Sequence, residues 1–500
     1  MNENEKFDEL TKKAEQGDVE AQVELGKMYY LGKGIEQDYS KAVKLWTKAA
    51  ELGDSNAQCS LGVMYYCGHG VEQDYERALE WFSKAAEQVV DVAQYILGVM
   101  YHNGQGVEQD CKKAIEWYRK AAEQGVGEAQ YNLGTMYRNG QGVVQDYEKA
   151  LEWFSKASEQ GNSGAQTELG NMYYYGDGVD KDYKKAFEWY TKAAEQGYAS
   201  AQYRLGNMYY YGYAVEKDYV KAFQWFSNAA EQGDAGAQFN LGTMYRIGKG
   251  VEQDYKKAIE WYAKAAEQGD SYAQNNLGSM YENAHGVEQD YNKAFEWYIK
   301  AAEQGNAGAQ NNLGSMYRIG KGVEQDYKKA IEWYAKAAEQ GDSYAQNNLG
   351  SMYENAHGVE QDYEKALRWY TKAAEQGHST AQFNLGSMYD NGHGVEQDYK
   401  EAVEWYMKAA EQGYSSAQYN LGVMYANGQG VEQDDKKAVE LFTRAAEHGD
   451  SEAQYNLGVM YENGDGVRKN IKKAIEYYEM ASLQGEEDAK EALKRLNGIK

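Results

Sequence analysis

The chain has 500 residues, with no proline, 54 glycines, 48 tyrosines and 11 tryptophans. Average usage of ~5% would give about 25 prolines, so collagen-like and Pro-rich linker proteins are excluded. Lys+Arg is 52 against 78 Asp+Glu, a net charge of −26, which excludes a basic polyanion-coating protein, and 14% aromatic content excludes wholesale disorder.

In chain order, residues 1–20 come first. They show no cationic stretch leading into an apolar run, so no secretory leader is expected. Phe7, Leu10 and Ala14 mark a lone capping helix over 6–16. From residue 21 the dipeptide Ala-Gln recurs every 36 residues, at 21, 57, 93 and onward to 453, without insertion or deletion. Thirteen repeats therefore fill 21–488, and 489–500 forms a closing cap with Ala489, Leu493 and Leu496. Residues 244–291 and 316–363 are identical over all 48 positions, which records tandem duplication rather than a site.

Numbered from that alanine, positions 1, 5, 8 and 9 (Ala, Leu, Met, Tyr) make one helical stripe. Position 6 is glycine in all thirteen repeats, from Gly26 to Gly458. A mid-helix glycine costs ~1 kcal/mol against alanine, and close approach of a neighbouring helix backbone is the expected reason. A Gly-x-Gly-Val loop follows, as in Gly104 to Val107, whose first glycine suits a left-handed helix end. The second helix opens at an N-cap aspartate at position 18. Position 25 is Trp in ten repeats, from Trp81 to Trp405, and is expected in the core. Glycine ends the second helix at position 33 in twelve repeats; Val89 replaces it in one, and a different helix end is expected there. Ser271-Tyr272-Ala273-Gln274 then reads as a capping box for the next first helix. The result is an all-α chain of stacked helix pairs, with no domain boundary expected along it.

The pattern Ala-Gln-x-x-Leu-Gly-x-Met-Tyr-x-x-Gly-x-Gly-Val, followed by Asp-Tyr-x-Lys-Ala-x-Glu-Trp-Tyr-x-Lys-Ala-Ala, resembles the Sel-one-like repeat (SLR) family, relatives of tetratricopeptide repeats, over nearly the whole chain. The resemblance implies a right-handed α/α superhelical solenoid acting as a scaffold or adaptor for protein or peptide partners. It also implies alternatives: an envelope-associated or secreted host-interaction factor, or a β-lactamase-like hydrolase related to cysteine-rich members of the family. Those members pair cysteines at positions 30 and 2 of successive repeats, where this chain carries residues such as Ala86 and Gln94.

Catalytic chemistry has little support. Four of the seven histidines, His69, His285, His357 and His393, sit at loop position 13 without a converging cluster, and are expected to be exposed. Three cysteines make no disulfide framework. No enzyme activity, cofactor or metal site is expected. The reading is a cytoplasmic monomer without a membrane-inserting segment or nucleic-acid partner.

Binding is better supported. By resemblance to tetratricopeptide units, positions 3, 4, 7, 10 and 11 of the first helix line a concave groove. The candidate residues are Tyr95, Tyr131, Asn132, Arg138, Tyr174, Tyr203, Arg204, Tyr210, Phe239, Asn240, Arg246, Asn276, Asn312, Asn348, Phe383, Tyr419 and Tyr455. Tyrosine offers contact area at low entropy cost, and asparagine offers both donor and acceptor to a peptide backbone.

Overall fold

A computed structural model describes residues 3–497, which hold 28 helices and no strand. Two compact units, Met1–Gln253 and Asp254–Lys500, are described separately. Within each, a second helix packs against the first helix of its own repeat and against the first helix of the following one.

The repeat around residue 140 shows why these residues form these elements. The first helix is Gly127–Asn139 and the second is Tyr147–Glu159. Gly140, at φ 69°, ends the first helix and donates its N–H to the Met136 carbonyl. Asp146 caps the second by accepting from the Lys149 N–H at 3.0 Å. Ala150, Phe154 and Ala157 on one stripe are fully buried, as are Ala129 and Leu133 facing them. The opening helix, Glu3–Glu15, starts earlier than the sequence suggests, and Phe7 and Leu10 pack on Ala14, Ala21 and Leu25. The closing helix, Glu487–Asn497, buries Ala489 and packs Leu493 and Leu496 below Tyr478.

The recurrent glycine has a different reason from the expected one. A Cβ on Gly134 would stand 2.8 Å from the Phe154 ring, and one on Gly98 would stand 2.5 Å from the Tyr118 ring. The neighbour is thus an aromatic ring from the second helix of the same repeat, not a helix backbone. That ring, at position 26, is the largest buried group of each repeat: Tyr190, Tyr262, Tyr298 and Tyr334 are each at most 1% exposed. The tryptophan one residue earlier is not core. Trp81, Trp117 and Trp153 are half-buried, and Lys156 places its ammonium 4.2 Å from the Trp153 ring centre. Successive residues on a helix point about 100° apart, so only one of two adjacent aromatics can face the interior.

Two helix-end expectations also change. Val89 keeps the glycine-type ending, at φ 67°, and donates its N–H to the Ala86 carbonyl at 3.0 Å. The sequence expectation of a different ending there is wrong, because the pattern of carbonyls around it outweighs the local penalty. A left-handed L-residue costs roughly 1–2 kcal/mol, so Val89→Gly is expected to raise stability by about 1 kcal/mol after the entropy glycine adds to the unfolded chain. Chemical denaturation of the two proteins checks this.

The capping box is absent as well. Asp270, not Ser271, caps the helix Ser271–Glu282, accepting from the Ala273 N–H at 2.7 Å. The recurrent glutamine instead joins repeats. Gln130 donates to the Ala122 carbonyl of the preceding repeat at 3.0 Å, and its oxygen accepts from Gln160 of its own repeat at 2.8 Å. The same pair of bonds recurs at Gln94, Gln346 and Gln382. Two repeats carry Leu52 and His448 where the others carry the donating glutamine, and there the Gln22 and Gln418 side-chain oxygens are buried without a partner among the described residues. Leu52 is itself 66% exposed. Leu52→Gln is expected to add about 1 kcal/mol by supplying the missing donor; an unchanged unfolding midpoint would contradict the relay.

Candidate binding face

All seventeen candidate residues are half-buried. Within each compact unit they lie on the first helices, and contacts between successive repeats bring them into rows.

The aromatic row at position 3 leans inward. Tyr95 packs on Tyr118 with ring centres 6.0 Å apart, Tyr131 on Phe154 at 6.0 Å, Tyr203 on Phe226 at 6.0 Å and Phe383 on Tyr406 at 5.6 Å. Tyr419 and Tyr455 do the same on Phe442 and Tyr478. These rings therefore roof the buried aromatic and offer the groove an edge and a hydroxyl rather than a free face. Burial pushes the Tyr419 hydroxyl up to about 12.

The asparagine row is partly self-paired. Asn240 donates to Asn207 at 3.2 Å, Asn312 to Asn275 at 3.1 Å, and Asn348 to Asn311 at 3.0 Å, each across a repeat junction. Each bond uses one of the two N–H groups of the donor amide. At position 11, Asn283 and Asn355 turn back to the Ser279 and Ser351 carbonyls and close their own helices.

In the first unit, tyrosines gather around two repeats. Tyr174 meets Tyr175, Tyr183 and Tyr213 at ring separations of 4.9, 5.2 and 5.8 Å. Tyr210 meets Tyr211 at 5.0 Å. Tyr175 and Tyr211 are 52% and 53% exposed. Arg204 reaches the Tyr175 hydroxyl at 3.2 Å, while its Nε is buried with no hydrogen-bond partner among the described residues. Burial, and then repulsion from the neighbouring tyrosine hydroxyls, push the Tyr174 hydroxyl up to about 12. Arg138 instead pairs with Glu168 of the next repeat, so its charge is already matched.

Depressions open between neighbouring first helices. One of about 310 Å³ is lined by Tyr95, Val99, His102, Asn132 and Thr135, with Tyr118 beneath. Another, of about 410 Å³ in the second unit, is lined by Val423, Asn427, Asn456 and Val459, with Phe442 beneath. Loop histidines are spoken for by tyrosines of the preceding repeat: His69 stacks on Tyr39 at 4.8 Å and His393 on Tyr363 at 4.6 Å. No group of three or more His, Cys, Asp or Glu could hold a metal ion among the described residues. Burial pushes the Cys59 thiol up to about 11, away from the reactive thiolate. No helix among the described residues is long and apolar enough to cross a membrane.

One group escapes a reading of the sequence. The position-26 tyrosines push their hydroxyls through to the groove side. Tyr298 donates to Glu282 at 2.7 Å and Tyr370 to Glu354 at 2.6 Å. The signal was present as an acid sixteen residues before a tyrosine, but that spacing spans a loop and has no meaning until the two helices are packed.

The profile of the Sel1 repeat matches thirteen consecutive segments, beginning at residues 19–54 and ending at 451–486. The chain belongs to the Sel1 repeat family. Its Sel1 boundaries run two residues ahead of the Ala-Gln alanine, where the first helices begin, as at Gly127 and Ser163. Among solved structures, a protective antigen present in uropathogenic Escherichia coli strains, displaying an SLR fold, is 40% identical. The match covers 92% of this chain and 97% of that one, with a TM-score of 0.77. A Sel1 repeat protein from Oxalobacter formigenes is 36% identical over 62% of this chain and 90% of its own, with a TM-score of 0.50. None of the curated proteins matches. The Sel1 assignment establishes an all-α repeat solenoid of the kind typical of protein–protein interaction scaffolds.

Proposed function

We propose that the protein is an interaction scaffold whose partners, as proteins or extended peptides, dock along the face formed by the first helices. The observation that carries this reading is the contrast between the two sides of each first helix. The side carrying Ala129, Leu133 and Met136 is uniform and sealed, whereas the side carrying Tyr131, Asn132 and Arg138 varies from repeat to repeat and borders open depressions. Fixed scaffolding with a variable lining is how solenoids present binding surfaces.

The test uses the exposed tyrosines, whose loss leaves the core intact. Tyr175→Ala with Tyr211→Ala and Arg204→Gln is expected to reduce capture of cellular partners by the full chain at least about ten-fold, as removing clustered Tyr and Arg anchors does elsewhere. Quantitative mass spectrometry of captured proteins reads the result. Equal recovery by the variant, at unchanged helicity, would defeat the proposal.

A second reading, a surface or secreted factor meeting a host, is favoured by one observation: the 40% identical relative is a protective antigen of uropathogenic strains. Fractionation of cells expressing the chain from its native start decides it, since recovery only from cytoplasm would remove this reading.

A further inference from the structure

In the second compact unit the face of the first helices carries a pattern more specific than a general peptide groove. Position 10 of four successive repeats holds Glu282, Arg318, Glu354 and Asp390. Beside it runs a ladder in which Asn312, Asn348 and Asn384 each donate to the asparagine of the preceding repeat, at 3.0–3.1 Å.

The carboxylates are pre-positioned. Glu282 and Glu354 each accept from a tyrosine hydroxyl whose ring is 1% exposed, so each is held from below by a group locked in the core. A neutral hydroxyl orients a carboxylate without cancelling its charge. Neither glutamate has an ion-pair partner among the described residues, unlike Glu462 further on, which Arg495 binds with both of its terminal nitrogens. Among the described residues the Asp390 carboxylate is met by the Tyr406 hydroxyl alone, at 3.4 Å, and burial raises it above the usual carboxylate range. A cation arriving at these three sites would relieve an unmatched, partly desolvated charge. The chain as a whole, at −26, draws cations toward it.

We propose, building on the scaffold reading, that this face takes an extended basic segment of a partner protein. Its Lys or Arg side chains meet Glu282, Glu354 and Asp390, and its backbone amides meet the remaining capacity of the asparagine ladder.

Spacing sets a register. Packed helices lie roughly 8–10 Å apart, and an extended polyproline-type chain advances about 3.1 Å per residue, so about three residues of the segment pass each repeat. Running with the chain, the segment carries cations at i, i+6 and i+9 and an anion at i+3 opposite Arg318. Running against it, the cations fall at i, i+3 and i+9 and the anion at i+6. A uniformly basic segment is disfavoured, because one of its cations meets Arg318.

The experiment is fluorescence anisotropy of labelled synthetic peptides with the full chain. The probes are a Lys/Glu peptide in each register on a Ser/Ala background, its charge-swapped counterpart and a neutral Ser/Ala peptide. One of the two registers is expected to bind at least about ten-fold tighter than the charge-swapped peptide, the preference shrinking as salt rises. The variant combining Glu282→Gln, Glu354→Gln and Asp390→Asn should lose that preference, with helicity by circular dichroism unchanged. Asn312→Ala with Asn348→Ala should weaken the preferred peptide without altering its salt dependence. Neutral or charge-swapped peptides binding as tightly as the preferred one, or the carboxylate variant keeping the preference, would overturn the charge assignment and leave the groove intact. Absence of binding by every peptide would overturn both the charge assignment and a peptide groove in this unit.

Discussion

Phe154→Ala is expected to destabilise its repeat by about 3–5 kcal/mol, the range for emptying a fully buried aromatic site. Phe154 is 0% exposed and touches the floor beneath Tyr131 and the face of Gly134. Neither glycine nor a half-buried tyrosine can move in to fill the space. The neighbouring Trp153→Ala should cost only about 1–2 kcal/mol, because the indole is half-exposed and its removal forfeits area rather than opening a cavity. Hydrogen exchange across the helices Gly127–Asn139 and Tyr147–Glu159 is the suitable readout, since long repeat arrays need not unfold in one step. A larger loss of protection for the tryptophan variant would reverse the assignment of core and rim.

Gly134→Ala tests the same contact from the other side. Helix propensity alone predicts a gain of about 1 kcal/mol. The packed structure predicts the opposite sign, a loss of about 1–3 kcal/mol, because the added methyl meets the fully buried Phe154 ring at 2.8 Å. Phe154→Leu in the same chain should recover part of that loss, since a branched aliphatic side chain can vacate the position. A stabilised Gly134→Ala protein would show that the glycine is there for some reason other than the ring.

What is legible in the sequence depends on the range of the interactions involved. Helix ends were legible because caps act within one turn: Asp146 and Gly140 do what their types require. The repeat length was legible from arithmetic. Partners twenty or thirty residues apart were not. Gly134 and Phe154 meet across a loop, Gln130 and Gln160 meet across a whole helix pair, and no local rule connects either. The choice between Trp153 and Phe154 for the interior turned on a rotation of one residue along a helix whose both sides are aromatic. Val89 was misjudged because a local penalty was weighed without the flanking bonds from Val89 and Val90 to Ala86 and Ala85.

The candidate face was legible as a set of positions and misread in its detail. The position 3 tyrosines are expected to offer contact area, but Tyr95 and Tyr131 spend much of their surface on the ring beneath them. The asparagines' donor and acceptor are expected to serve a peptide backbone, but Asn312 and Asn348 are already bonded to the preceding repeat. Residue type announces what a side chain can bond to; only packing announces what it has already bonded to.

The glutamine relay has a consequence for how such a chain changes over generations. Its bonds bridge fixed separations of eight and thirty residues, so it acts as a ruler that admits only whole repeats. Unequal crossing-over between the identical stretches at 244–291 and 316–363, which lie two complete repeats apart, would lengthen or shorten the array while every new junction meets the residues it meets now. Overall length can then drift in such steps under selection on partners, with folding scarcely consulted.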